Sequence, residues 1–163
     1  MTEIRTMTPA DWLAFRNWRG GDNYTDGVIG FEFEEHLARR RIILLAVDGP
    51  EIIGTVQFVL SHDDPELGDG RTIAYLQALE VRPDHRRRGV GRSLVKKVEA
   101  LASGRGFAQL ALMVEPDNRP ALGLYEKCGF TAFKESTDTW RDREYPVLCL
   151  RKSLAPAQGS LVM

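Results

Sequence analysis

The stretch LEVRPDHRRRGVGRS, residues 79–93, decides how this chain is read. Its first residues close an apolar, β-branched run over 73–81 that predicts a strand, and Arg82-Pro83-Asp84 breaks it. From Gly91 onward the period changes. Leu94, Val95, Val98, Leu101 and Ala102 recur at helical spacing, which places Lys96, Lys97 and Glu99 on the wet face. A strand therefore runs through a glycine-bearing turn into a helix. The first amides of a helix lack partners within it, and its N-terminus carries partial positive charge. Glycines there let a diphosphate come close to those amides. Between Arg82 and Lys97 stand seven lysines and arginines and one acid, Asp84, a local charge of +6 in a chain whose formal net charge is -1. The segment predicts a polyanion site. A solvated arginine turn ahead of a helix accounts for the same residues, so the loop alone leaves both readings open. It is no P-loop, because GxxxxGK[ST] is absent. It is no dinucleotide loop, because only Gly89-x-Gly91 stands where GxGxxG is needed.

Outward from this stretch the elements alternate. Toward the C-terminus, Gly104 and Gly106 stop the helix and 107–114 reads as a strand. Asn118 caps a further helix, with Pro120 in its first turn and Gly129 at its end. Residues 130–133 and 146–150 read as closing strands. Toward the N-terminus, 3–7 is a short strand, and Thr8 and Pro9 start a helix over 12–18 that Gly20-Gly21 ends. A second short helix is predicted over 33–41. The runs 42–47 and 52–60 form a hairpin across Asp48-Gly49-Pro50. SHDDPELGDG, residues 61–70, is a polar loop. The order predicts an α/β (α+β) fold around one mixed sheet. The 163 residues fit one domain over 1–154, with a flexible tail over 155–163.

Composition narrows the function. The chain is 43% hydrophobic and 28% charged, which places it among ordinary globular proteins. No apolar run approaches the roughly 20 residues that span a bilayer, and MTEIRTMTPADW lacks the layout of a signal peptide, so a cytoplasmic protein without membrane contact is expected. Cys128 and Cys149 form no CxxC pair and the three histidines are scattered, so neither a disulfide nor a metal site is expected. The basic patch is local and the remainder acidic, which argues against nucleic acid.

Residues 115–130, EPDNRPALGLYEKCGF, shift the balance. With them the chain resembles the GNAT superfamily of N-acetyltransferases. The family's acetyl-CoA loop, R/Q-x-x-G-x-G/A, is matched by Arg86, Gly89 and Gly91. Its later motif, N-x-x-A-x-x-L-Y-x-x-x-G-F, is matched by Asn118, Ala121, Leu124, Tyr125, Gly129 and Phe130. The close match covers 76–133, and the N-terminal third is compatible in layout without a signature. The resemblance implies a mixed, mostly antiparallel sheet flanked by helices, in which strands 73–81 and 107–114 splay apart. It implies acetyl-CoA or another short acyl-CoA as co-substrate and no metal. The pantetheine arm would bond to the backbone of Leu79, Glu80 and Val81. The diphosphate would rest on the amides of the loop, with Arg86, Arg87, Arg88, Gly89, Val90, Gly91 and Arg92 around it. Asn118 would contact the pantetheine or simply cap its helix. Homodimers, often built through the C-terminal strands, are the family's common assembly.

The implied reaction is direct attack of an amine on the thioester. An amine of pKa about 10 is protonated at neutral pH and must lose a proton. A strand amide near Val81 would meet the developing oxyanion, and Tyr125 would serve the leaving thiolate; as a bland alternative, Tyr125 is an aromatic packed in the cleft. The general base departs from the family's patterns. The positions where relatives carry a glutamate are Tyr75 and Met113 here, which leaves Glu80, Glu115 or a water chain. Cys128 lacks a base beside it and reads as a core residue rather than a nucleophile. Acids in 20–38 (Asp22, Asp26, Glu32, Glu34, Glu35) and in 61–70 (Asp63, Asp64, Glu66, Asp69) would favour a cationic acceptor if they line the cleft, and are otherwise solvated loops. Tyr24, Phe31, Phe33 and Trp140 would shape the acceptor pocket or pack in the core. An acyl-CoA-binding regulatory module that has lost efficient catalysis is the competing class.

Overall fold

The computed structural model describes residues 2–155; of the tail expected over 155–163, residues 156–163 lie outside that range. The described chain runs β1 (Thr2–Thr6), α1 (Trp12–Arg19), α2 (Asn23–Leu37), β2 (Arg41–Asp48), β3 (Glu51–Val59), β4 (Ile73–Val81), α3 (Val90–Gly104), β5 (Gln109–Val114), α4 (Arg119–Lys127), β6 (Thr131–Trp140) and β7 (Arg143–Ser153). The strands form one sheet in the order β1-β2-β3-β4-β5-β7-β6. Every neighbouring pair is antiparallel except β4 and β5. This is the mixed, mostly antiparallel architecture expected from the sequence.

Both faces of the sheet are covered. In β2, Ile43, Leu45 and Val47 pack with Phe15 of α1 and Ile29 of α2. The alternate residues Leu44 and Ala46 pack with Leu94, Val95 and Val98 of α3. That explains why β2 and β3 read as continuous apolar runs rather than alternating ones. His36, at the end of α2, ties that helix to β2 and to the residue after β1: its Nε2 donates to the Met7 carbonyl at 2.8 Å and its Nδ1 accepts the Ile43 amide at 3.0 Å.

The parallel pair sets the shape. β4 and β5 are in register at only three positions, Ile73 with Gln109, Ala74 with Leu110 and Tyr75 with Ala111. Beyond them β4 runs on to Val81 and β5 to Val114 without pairing. The cause lies on the other side of β4. Against β3, Gln57 faces Gln77 and Thr55 faces Glu80, so β4 carries one residue more than its partner. Ala78 takes a left-handed φ of 55°, rare for a residue with a Cβ. This β-bulge bends and overtwists the strand, and β4 leaves β5 there.

Three elements differ from their sequence-based expectations. α2 begins at Asn23 rather than 33, and Arg41 belongs to β2. Asp22 caps the helix by accepting the Thr25 amide at 2.8 Å. Gly27 and Gly30, poor helix formers, mask its N-terminal half in the sequence. β6 and β7 are much longer than 130–133 and 146–150 and pair from end to end. β6 is an edge strand with most residues exposed, so no apolar period marks it. Its turn is Arg141-Asp142, both left-handed at 53° and 62°, in place of the Asn-Gly that usually signals such a turn. Glu99, expected on the wet face of α3, turns inward and takes Lys152 Nζ at 2.8 Å.

Leu94 is fully buried between α3 and the sheet. Leu94→Ala is expected to destabilise the fold by about 2–5 kcal/mol. Urea unfolding should show a lower midpoint with an unchanged slope.

Candidate active site

The end of β4 and the start of α3 each present backbone donors, and the loop of residues 82–89 joins them. The Arg82 amide bonds back to Ile53 at 2.8 Å. Strand alternation therefore turns the N–H and C=O groups of Leu79 and Val81 to the other edge of β4, where β5 has moved away. Pro83–His85 makes a 3-10 turn. Arg87 and Gly89 then both adopt left-handed φ, 64° and 81°, and Gly89 is the residue before α3. Such reversals turn successive amides into one concavity. The first turn of α3 contains no acid, so nothing opposes an anion there. Val90 is buried and anchors the helix start. Gly91 lies at a triple junction: a Cβ on it would stand 3.3 Å from Leu124 of α4 and 3.8 Å from Val81 of β4.

The arginines divide their roles. Arg86 Nε donates to the Val81 carbonyl at 3.1 Å and folds the loop back on its strand. Arg87, Arg88 and Arg92 are exposed. Arg82 lies with its guanidinium 5.7 Å from the Trp18 ring centre, and its Nε is sealed without a partner among the described residues. Exposed amides, a helix N-terminus and loose arginines are a donor set that fits a diphosphate.

On α4, Asn118 accepts the Ala121 amide at 3.3 Å, as a cap should. Tyr125, two turns on, is buried with its ring edge-on to Phe130 at 5.8 Å. Burial pushes its phenol up to about 12. Cys128 and Cys149 are buried thiols whose pKa values are raised by burial, so both stay protonated. No cluster of His, Cys, Asp or Glu suited to a metal occurs among the described residues.

Tyr75, Gln77 and Glu80 lie in rows with Val59, Gln57 and Thr55 on the face that α2 covers. Tyr75 packs with Ala111 and Cys149, and the His62 ring lies 4.5 Å from it. His62 Nδ1 accepts the Asp64 amide at 2.9 Å, which leaves the proton on Nε2, so this imidazole presents a donor and no base. Glu80 is half-exposed and ion-paired with Arg19 of α1. Glu115 lies one residue past the end of β5, exposed, in the turn that Asn118 closes onto its carbonyl at 3.0 Å. The alternation that would carry it to the Met113 face stops at Val114.

Most acids flagged in the sequence hold partners. Asp22 pairs with Arg141, Asp26 with Arg16, Glu35 with Arg40 and Arg41, and Asp64 and Glu66 with Lys134. Asp69 folds its carboxylate onto the amides of Arg71, Thr72 and Ile73. Phe33 belongs to the core, stacked on Trp12 at 5.0 Å. Tyr24 and Trp140 come together edge-on at 4.9 Å. Around them the tip of the β6–β7 hairpin clasps the start of α2. Arg141 lies over the Tyr24 ring at 5.0 Å, reaches Asp22 at 2.5 Å and donates its backbone amide to the Tyr24 hydroxyl oxygen at 3.2 Å. Salt-bridge and amide contacts hold the Asp22 carboxyl down at about 2. The sequence reading missed a buried polar group formed by Glu32, Arg41, Gln57 and Gln77. Its only signal is a glutamine inside each of two apolar strands.

Known proteins share this arrangement. N-acetyltransferase family 8 member 3 of Rattus norvegicus is 33% identical over 113 residues, 68% of this chain and 48% of that protein, so the chain spans about half of that relative's length. The aminoglycoside N(6')-acetyltransferase type 1 of Klebsiella aerogenes is 29% identical over 93% of this chain and 94% of its own. A GNAT-family acetyltransferase structure from Streptococcus pneumoniae superposes with a TM-score of 0.75 at 19% identity, covering 95% of this chain and 100% of its own. The profile of the Acetyltransferase (GNAT) family matches residues 4–130. The chain belongs to the GNAT acetyltransferase family.

Proposed function

We propose that the protein is an N-acetyltransferase that moves an acetyl group from acetyl-CoA to a primary amine by direct attack. The observation that carries this is the parting of β4 from β5, which leaves β4 amides unpaired with β5 on the strand whose loop leads to the N-terminus of α3. Acetyl-CoA supplies an activated acyl group as its thioester. The amides of residues 87–92 hold the diphosphate, and the groups of Leu79 and the Val81 amide bond the pantetheine arm, while the Val81 carbonyl is held by Arg86. An amide on this edge of β4 faces the carbonyl oxygen as it gains negative charge. Glu80 receives the amine's proton, directly or through water; its place between Leu79 and Val81 favours it over Glu115, which stands beyond the strand.

Tyr125 acts on the leaving sulfur. With its phenol near 12 it stays protonated throughout the neutral range, and a thiol near 8.5 is the stronger acid. Tyr125 therefore stabilises the thiolate by donating a hydrogen bond, and full proton transfer to sulfur comes from elsewhere. The acceptor is a cationic amine of the polyamine or aminoglycoside kind. The likeness to the aminoglycoside enzyme over nearly its whole length supports this.

The activity test is thiol release from acetyl-CoA with kanamycin, spermidine and a tetrapeptide with a free N-terminus. Turnover with a cationic amine is expected, and turnover only with neutral or anionic acceptors would sink the acceptor assignment. Tyr125→Phe should lower kcat by about 10²-fold with little change in the KM for acetyl-CoA. Its activity at alkaline pH should keep the wild-type profile up to about pH 10, because the phenol is not titrating there. Glu80→Gln should lower kcat, whereas Glu115→Gln should preserve it. Gly91→Val, which pushes a side chain toward Leu124, should raise the KM for acetyl-CoA at least tenfold.

A further inference from the structure

Gln57 and Gln77 face each other directly across β3 and β4. Gln57 is fully buried, and Glu32 and Arg41 beside it are almost so. The chemistry of these partners settles which way each amide points. Arginine can only donate, so the Gln57 atom that Arg41 meets at 2.7 Å is the carbonyl oxygen. Gln57 Nε2 then points the other way and donates to Glu32 Oε1 at 2.8 Å. The same Gln57 oxygen is met by Gln77 at 2.9 Å, so that contact comes from the Gln77 amide nitrogen. This nitrogen also donates to Glu32 Oε2 at 3.1 Å, and an ionised carboxylate only accepts. Both N–H groups of Gln77 are thus committed inward. Its carbonyl oxygen has no partner among the described residues and is not among the sealed polar atoms.

Position gives that oxygen a use. Gln77 precedes the bulge at Ala78 by one residue and the unpaired Leu79 by two, and it lies past Tyr75, the last β4 residue paired to β5. It is half-buried, on the face of the sheet that α2 covers. We infer that Gln77 Oε1 positions the acceptor by accepting a hydrogen bond from the attacking amine. Glu32, Gln57 and Arg41 are positioning residues that hold it in that orientation. A carbonyl accepts from the ammonium and, more weakly, from the neutral amine, so it keeps hold of the nucleophile through deprotonation. A carboxylate at this place would compete for the proton, and the chain carries none at Tyr75 or Met113. The inference rests on reading the β4–β5 cleft as the acyl-transfer site.

Gln77→Lys and Gln77→Met separate this role from support of the fold. Lysine keeps donors for Glu32 and Gln57 but removes the acceptor oxygen and adds a like charge toward a cationic amine. Methionine removes both. With whichever of kanamycin, spermidine or the tetrapeptide the wild type turns over fastest, both variants should raise the amine KM at least tenfold. The KM for acetyl-CoA should stay within twofold, and the Tm of Gln77→Lys should match wild type. A folded Gln77→Lys or Gln77→Met enzyme with the wild-type amine KM overturns the assignment while the transferase reading stands. A wild type that binds acetyl-CoA yet releases no thiol with any of the three amines overturns both.

Discussion

Parallel pairing between β4 and β5 lasts for three residue pairs, and the rest of the molecule is arranged around the place where it stops. The single extra residue in β4 bends the strand, and the left-handed φ of Ala78 is the local strain that the surrounding sheet maintains. Two strands that should exchange main-chain hydrogen bonds leave them unmade on facing edges. In a closed core that would be costly. In the proposed reaction those edges take the pantetheine arm, an extended chain with amide groups of its own.

Electrostatics divides the two sides of this cleft. On the α3 side, positive charge is concentrated and poorly neutralised: the helix N-terminus, Arg87, Arg88 and Arg92 face solvent, while Arg86 closes the loop by bonding to Val81. On the α2 side, charges come in pairs. Arg141 answers Asp22, Lys134 answers Asp64 and Glu66, and Arg41 answers Glu32 and Glu35. Exposed pairs of this kind add little stability. Their effect is geometric, because they hold the hairpin tip and the 61–70 loop over the sheet. A side that binds a polyanion benefits from unpaired charge, whereas the proposed amine site relies on oriented dipoles.

Much of this was legible in the chain itself, and the limits are instructive. The strand–loop–helix unit at 73–104 could be read because its signals are local: a β-branched run, a glycine turn and a helical period. Asn118 was legible as a cap for the same reason. α2 was half-missed because Gly27 and Gly30 contradict a helix that tertiary packing of Ile29 enforces. β6 was read only over 130–133 because an exposed edge strand needs no apolar alternation when its partner β7 supplies the ladder. Glu115 shows the converse, an alternation rule extended one residue past the end of its strand.

The sequence by itself determined the family and carried the proposed donor side, since the Arg86–Gly91 motif, the +6 loop and the helix start are contiguous and act through backbone groups that any side-chain arrangement leaves in place. Only the tertiary structure decided the acceptor side. Whether Glu32, Gln57, Gln77 and Arg41 are four scattered polar residues or one oriented network depends on the register of β3 against β4 and on where α2 lies. Register is a long-range property of the folded sheet, and one residue of slip would turn Gln77 to the opposite face.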